Sequence, residues 1–310
     1  MLLFNQMIIL FLIMSVGFLC RKKGLWTEEG RRTLSGLVVN VANPALILSA
    51  SINKEATIQG KDLLYTMLIA VIIYFALILF ARIVPGILHV ERNKWGTYKA
   101  MTVFSNIGFM GFPVISAVYG SEALLYASVF MLPYNFLIYT YGIATMQVNE
   151  AAKGGEKGRT IHWKKIFNIG VIACVVSMIL YLAQIPVPVT IEKVVTNLSN
   201  LTAPLSMIVI GDSIAMMKVK ELIKDMKLLL FSFIKLLFIP IIGVLMMKGM
   251  GVNPMLVGVC MVMLATPVGS MTAMLAQQYE GDYELASKGV AITTILSVMT
   301  MPLVSILLKV

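Results

Sequence analysis

The chain has 310 residues, 59% of them hydrophobic and 13% charged, with a formal net charge of +10 and a mean hydropathy of +0.89. Soluble domains carry about 45–50% apolar and about 25% charged residues, so this composition excludes a soluble globular domain. Apolar runs of the ~20 residues that cross hydrocarbon recur along the whole length, which makes it a polytopic helical membrane protein.

The spans in chain order are 2–20, 33–52, 62–82, 97–118, 122–147, 165–184, 195–217, 227–247, 253–278 and 284–308. The first could pass for a signal peptide, but charge follows it instead of preceding it and no small-residue cleavage site is evident, so a retained helix is expected. Of the 25 Lys and Arg residues, 19 fall in one set of alternate loops and 5 in the opposite set with the C-terminus; Lys235 lies inside a span. The positive-inside rule then puts both termini outside the cytoplasm and the longest loop, 148–164, inside, in the plasma membrane. That pattern explains the net charge without a nucleic-acid partner. Cys20, Cys174 and Cys260 are isolated in apolar runs, and His89 and His162 lie in basic loops, so no disulfide framework, metal or cofactor is expected.

The two halves echo one another. Asn40-Val41-Ala42-Asn43-Pro44 in span 2 matches Asn200-Leu201-Thr202-Ala203-Pro204 in span 7. A second mid-span proline follows in each half, Pro113 and Pro267, and then Tyr119-Gly120-Ser121-Glu122 and Tyr279-Glu280-Gly281-Asp282. Five spans per copy is odd, so the second copy is inserted inverted, as in alternating-access carriers. The halves are 1–147 and 165–310.

Spans 4 and 9 carry proline–glycine clusters at their middles: Asn106, Gly108, Gly111 and Pro113 in one, Thr266, Pro267, Gly269 and Ser270 in the other. Proline removes an N–H and crowds the preceding turn, and glycine lowers the cost of unwinding. Backbone groups freed in lipid cost several kcal/mol each unless something satisfies them. If the two breaks cross, each supplies a half-helix N-terminus suited to a carboxylate, with Asn106, Thr266 and Ser270 adding neutral donors and acceptors. A plain packing kink is the competing reading of either cluster alone. Pro44 and Pro204 are equally compatible with kinked helices facing the site, with Asn43 pointing inward, and with simple packing. Inside the membrane Asp212 and Lys235 lie at similar depth; they are candidates for an ion pair or for proton coupling. An intramembrane aspartyl protease would need a second carboxylate beside Asp212, and the interior offers none, so no enzyme is expected.

These residues together resemble the auxin efflux carrier family, which includes plant auxin exporters and bacterial permeases. The Asn106-to-Pro113 segment resembles its span-4 crossover, Pro267 to Tyr279 its span-9 crossover, and Val41 to Ile52 its second helix; Lys235 falls where basic residues are familiar. The resemblance implies ten helices in two inverted five-helix repeats, similar to bile-acid symporters and sodium/proton antiporters. Spans 1, 2, 6 and 7 would form a scaffold and spans 3–5 and 8–10 a transport domain moving like an elevator. It further implies that Asn106 contacts the substrate carboxylate, that malate or a similar organic acid is carried, and that a homodimer can form through the scaffold. Plant members use an Asp and a Lys one turn apart near the start of span 3. Here Asp62 is followed by Thr66, which favours a smaller anion than auxin. The expectation is a secondary carrier of a small carboxylate, the alternative a membrane-embedded carboxylate sensor that does not transport.

Overall fold

The computed structural model describes residues 2–25, 27–52, 60–120, 122–146, 169–216, 224–279 and 281–310; the expected loop 148–164 lies outside them. The described residues are almost all helical. Their only extended pairing is a single antiparallel bridge between Ser105 and Val268. Among the described residues, five helices are long and apolar enough to cross a membrane: Gly60–Ile87, Ala123–Met146, Val189–Ala215, Met226–Gly249 and Tyr283–Leu308. The chain is therefore a multi-pass membrane protein.

We number the helical segments α1 (Leu2–Lys22), α2 (Glu28–Leu37), α3 (Asn43–Ile52), α4 (Gly60–Ile87), α5 (Trp95–Val103), α6 (Phe112–Tyr119), α7 (Ala123–Leu137), α8 (Ile169–Leu182), α9 (Val189–Ser199), α10 (Thr202–Ala215), α11 (Met226–Phe233), α12 (Ile239–Gly249), α13 (Pro254–Ala265), α14 (Ser270–Gln278) and α15 (Tyr283–Leu308). Several boundaries differ from the hydropathy reading, the second helix beginning at Glu28. The third span runs from residue 60 to 87 because Pro85 sits inside the helix without ending it. The seventh begins at Val189, and its interruption at Asn200-Leu201 falls four residues before Pro204, where the carbonyl has lost its usual donor.

Three prolines act through a different device. Pro44, Pro113 and Pro240 each follow a π-turn, at Val38–Ala42, Ile107–Gly111 and Ile234–Phe238. In every case the residue before the proline donates its N–H five residues back: Asn43 to Val38, Phe112 to Ile107, Ile239 to Ile234. Widening the turn relieves the clash between the ring and the carbonyl four residues earlier, so the helix continues with a bulge instead of breaking.

The sides of the helices divide between protein and lipid. α4 presents Leu64, Leu68, Ile72, Phe75, Leu79 and Ile83 outward at helical spacing and buries Leu63, Ala70, Tyr74, Leu77, Ala81 and Val84. Both faces are apolar, as a lipid-facing span requires. Inside, α1 packs on α10 and α8 on α3, with Ser177 Oγ of α8 donating to Ile47 O of α3 at 3.0 Å. The α1–α10 contact is backbone-close: a Cβ on Gly17 would lie 2.2 Å from Ile208 O, and one on Gly211 only 1.9 Å from Met14 O. Small residues let membrane helices approach in this way.

That contact makes a direct test. Gly211→Val should lower the thermal midpoint in detergent by several degrees, since overpacking costs about 1–3 kcal/mol. Gly86→Ala, where nothing lies within 4 Å of the added carbon, should not; equal midpoints for the two variants would contradict the close approach.

Candidate functional site

The fourth and ninth spans are interrupted where they meet. Phe104 N–H makes the last bond of α5, to Ala100 O at 2.9 Å, and Phe104 is then extended (φ −98°, ψ 105°). Asn106 (φ −81°, ψ 61°) forms an inverse γ-turn closed by Ile107 N–H donating to Ser105 O at 2.9 Å. Its carbonyl accepts from Met110 and Gly111, both at 3.1 Å, and so restarts the helix. In span 9, Thr266 and Gly269 are extended on either side of Pro267. Thr266 Oγ1 donates to Met263 O at 2.8 Å, taking up the carbonyl that Pro267 cannot serve.

The unwound segments satisfy each other. Asn106 N–H donates to Pro267 O at 2.8 Å and Gly269 N–H to Phe104 O at 2.9 Å. A Cβ on Gly269 would stand 2.9 Å from Ser105 O, so glycine is required for this approach. Val268 N–H, facing away from the pair, donates to Thr293 Oγ1 of α15 at 3.0 Å. Lys235, fully buried in its π-turn, donates to Thr102 O at 2.9 Å and Ser105 Oγ at 2.7 Å.

Ser105 N–H has no acceptor among the described residues, and four further donors are left over at the helix starts. The N–H groups of Gly108 and Phe109, at one half-helix start, and of Ser270 and Met271, at the other, have no acceptor among the described residues, and all four residues are half-buried. Each start carries a partial positive charge. Asn106 is 5% exposed, and its side-chain amide has no hydrogen-bond partner among the described residues. Asn43 Oδ1 is likewise buried and unpartnered, and Asn43 Nδ2 sits 3.3 Å from the place a Cβ on Gly108 would take. Unsatisfied buried amides are uncommon, and a ligand is one explanation for them.

A cavity of about 410 Å³ opens beside this region, lined by Leu46, Ser49, Ile52, Pro113, Ser116, Ala117, Glu192, Thr196, Ser199, Asn200, Thr202 and Ala203. It lies between α3, α9 and the start of α10 on one side and α6 on the other. Of the residues expected at the site only Pro113 lines it; Asn43, Asn106, Gly108, Gly111, Thr266, Pro267, Gly269 and Ser270 do not. Two orphaned hydroxyls, Thr202 Oγ1 and Ser206 Oγ, follow one another by a turn along α10, which packs against the π-turn 107–111. A second hollow of about 10 Å³, room for about one water, touches Ser105, Tyr74 and Cys260.

The structure corrects two details of the sequence reading. Gly108, Gly111 and Pro113 lie in helix, and the unwound residues are 104–106. Asp212 and Lys235 do not pair. Asp212, 1% exposed, has its Oδ1 3.8 Å from Arg21 Nε and its Oδ2 3.5 Å from Arg31 Nε. Its side of α10 faces α1 and α2. Glu28 joins this group through a hydrogen bond from Arg31, which holds the Glu28 carboxyl below its usual range. Ser105, Thr293 and Ser206 escaped the sequence reading, and Thr202 entered it only as part of the span-7 echo. Ser105 adjoins Asn106, and Thr293-Thr294 is a polar pair inside the last apolar span; those were the available signals. Among the described residues no cluster of His, Cys, Asp and Glu could hold a metal ion.

Comparison with known proteins gives the wider setting. A family model described as membrane transport protein matches residues 2–305. A protein of Methanothermobacter thermautotrophicus called an uncharacterized transporter is 26% identical over 300 residues, covering 94% of either chain. Another so named, from Methanocaldococcus jannaschii, is 24% identical over 311 residues, covering 96% of either chain. The family and both relatives are transporters, not enzymes.

The acceptor of Val268 N–H can be tested in isolation. Thr293→Val removes the acceptor of Val268 N–H and should destabilise the protein by about 1–3 kcal/mol, read as a lower thermal midpoint, whereas Thr293→Ser should keep it. A stable Thr293→Val protein would mean that the bond is not needed.

Proposed function

Because the chain belongs to the membrane transport protein family, that of the auxin efflux carriers, we propose that it is a secondary carrier of a small organic anion, a carboxylate such as malate or an auxin-like acid. The observation that carries the reading is the set of four unpaired N–H groups at two half-helix starts beside the buried amide of Asn106. A carboxylate would take these donors in place of water. Neutral donors hold an anion without the cost of keeping a further charge in lipid.

The ten-span, inverted-repeat plan is the frame of this proposal. It is supported by the reciprocal contacts of α1 with α10 and of α8 with α3: span 1 leans on span 7 and span 6 on span 2, the exchange that two-fold related repeats produce. In that plan α3, α9 and α10 belong to the scaffold and α6 to the transport domain, so the 410 Å³ cavity lies along their boundary. With the basic loops in the cytoplasm, the cavity opens to the outside of the plasma membrane and serves as a vestibule. Elevator-like sliding of the crossover past α3 and α10 would carry the anion from it to the other side. Homodimerisation through the scaffold fits the same plan.

Asp212 takes a structural part in this scheme. A carboxylate lodged between Arg21 and Arg31 ties α1, α2 and α10 together at the basic end of the scaffold, and no proton step is assigned to it.

Purified protein in liposomes, offered a panel of labelled organic acids with and without a pH gradient, tests the proposal. Asn106→Ala should reduce uptake at least about 10-fold, the effect of losing a hydrogen bond to a charged group; uptake at the wild-type rate would remove Asn106 from the site. Saturable binding without flux would favour a sensor over a carrier. Asp212→Asn should leave the response to a pH gradient unchanged while lowering the thermal midpoint. Loss of that response in a well-folded variant would instead make Asp212 the proton carrier.

A further inference from the structure

Among the described residues only two charged side chains are buried, Asp212 and Lys235. Asp212 is matched by arginines. Lys235 faces no carboxylate: its hydrogen bonds run to Thr102 O and Ser105 Oγ alone, which leaves one of its three N–H groups unused. An unmatched charge in a dry interior costs several kcal/mol even after relaxation. The C-terminal carbonyls of α5 offset part of that, since a cation at a helix C-terminus is favourable. Protonated, Lys235 adds one positive charge to the region that holds the two N-termini.

We propose that Lys235 is the resident counter-charge of the transported anion, so that the crossover is positive when empty and neutral when it holds a singly charged carboxylate. This rests on the carrier reading above and adds to it the charge of the cargo. Lys235 does not touch the cargo; it is a positioning residue that acts through Ser105 and Thr102, the neighbours of Asn106. The π-turn at Ile234–Phe238, set by Pro240, lets span 8 carry Lys235 as part of the crossover. The charge thus travels with the transport domain. Two consequences follow: the loaded carrier crosses without moving charge when the cargo is a monoanion, and the return of the empty carrier is the voltage-sensitive step.

The test is homo-exchange of labelled acid in proteoliposomes, with a potassium diffusion potential set by valinomycin. Homo-exchange uses only the loaded carrier. Labelled lactate or indole-3-acetate, each a monoanion, should exchange at a rate independent of voltage. Labelled malate, a dianion, should respond by up to about 50-fold per 100 mV, the limit for one charge crossing the whole field. Lys235→Gln should make monoanion exchange voltage-sensitive, and Lys235→Arg should restore its indifference. Voltage-sensitive monoanion exchange in the wild type, or voltage-indifferent malate exchange, would overturn the proposal even if Lys235→Gln fails to assemble. Absence of exchange for every acid would instead defeat the carrier reading on which the proposal stands.

Discussion

Two backbone hydrogen bonds, Asn106 N–H to Pro267 O and Gly269 N–H to Phe104 O, are the constraint on which this structure depends. A helix cannot be opened in lipid unless its freed groups find partners, because each group left alone costs several kcal/mol. Here each broken span supplies what the other has lost, in a sheet one bridge long. Three further openings are closed singly: Thr293 takes Val268 N–H, Thr266 takes Met263 O, and Lys235 takes Thr102 O. Unpaired N–H groups remain at the two half-helix starts, and the proposed site is built on them.

The buried charges divide along the same line. Asp212 sits with Arg21, Arg31 and Glu28 where α1, α2 and α10 come together, beside helices so close that Gly17 and Gly211 leave no room for a side chain. A network of this kind holds one arrangement. Lys235 has only neutral partners, Thr102 O and Ser105 Oγ. In the proposed carrier, one group of charges fixes a frame and the other responds to cargo.

Much of this was legible in the residues. Apolar run lengths and the distribution of Lys and Arg made a multi-pass helical protein evident, and Pro267 with Thr266 and Gly269 marked the span-9 break to the residue. Span 4 was harder because its glycines and Pro113 are the local signal, yet they form a π-turn and a helix while the chain opens at Phe104, Ser105 and Asn106. Pro44 and Pro240 show why. A proline alone is accommodated by a bulge, and a true break needs a second open segment facing it, which no local pattern contains. For the same reason Lys235 and Asp212 invited pairing by depth along their helices. Depth says nothing about which side of the helix a residue occupies, and they face different neighbours. Thr293 and Ser105 were invisible as partners because their roles depend on contacts across more than 20 residues of sequence.

The central claim is that main-chain N–H groups at the crossover hold the anion. The most direct measurement is amide NMR of the protein in nanodiscs, labelled at glycine, serine, phenylalanine and methionine and titrated with a transported acid. The account predicts saturable downfield proton shifts at Gly108, Phe109, Ser270 and Met271, as new hydrogen bonds form there. Saturation with those four resonances unmoved, and shifts confined to Ser49, Ser116 or Ser199 in the vestibule, would place the anion elsewhere and contradict it.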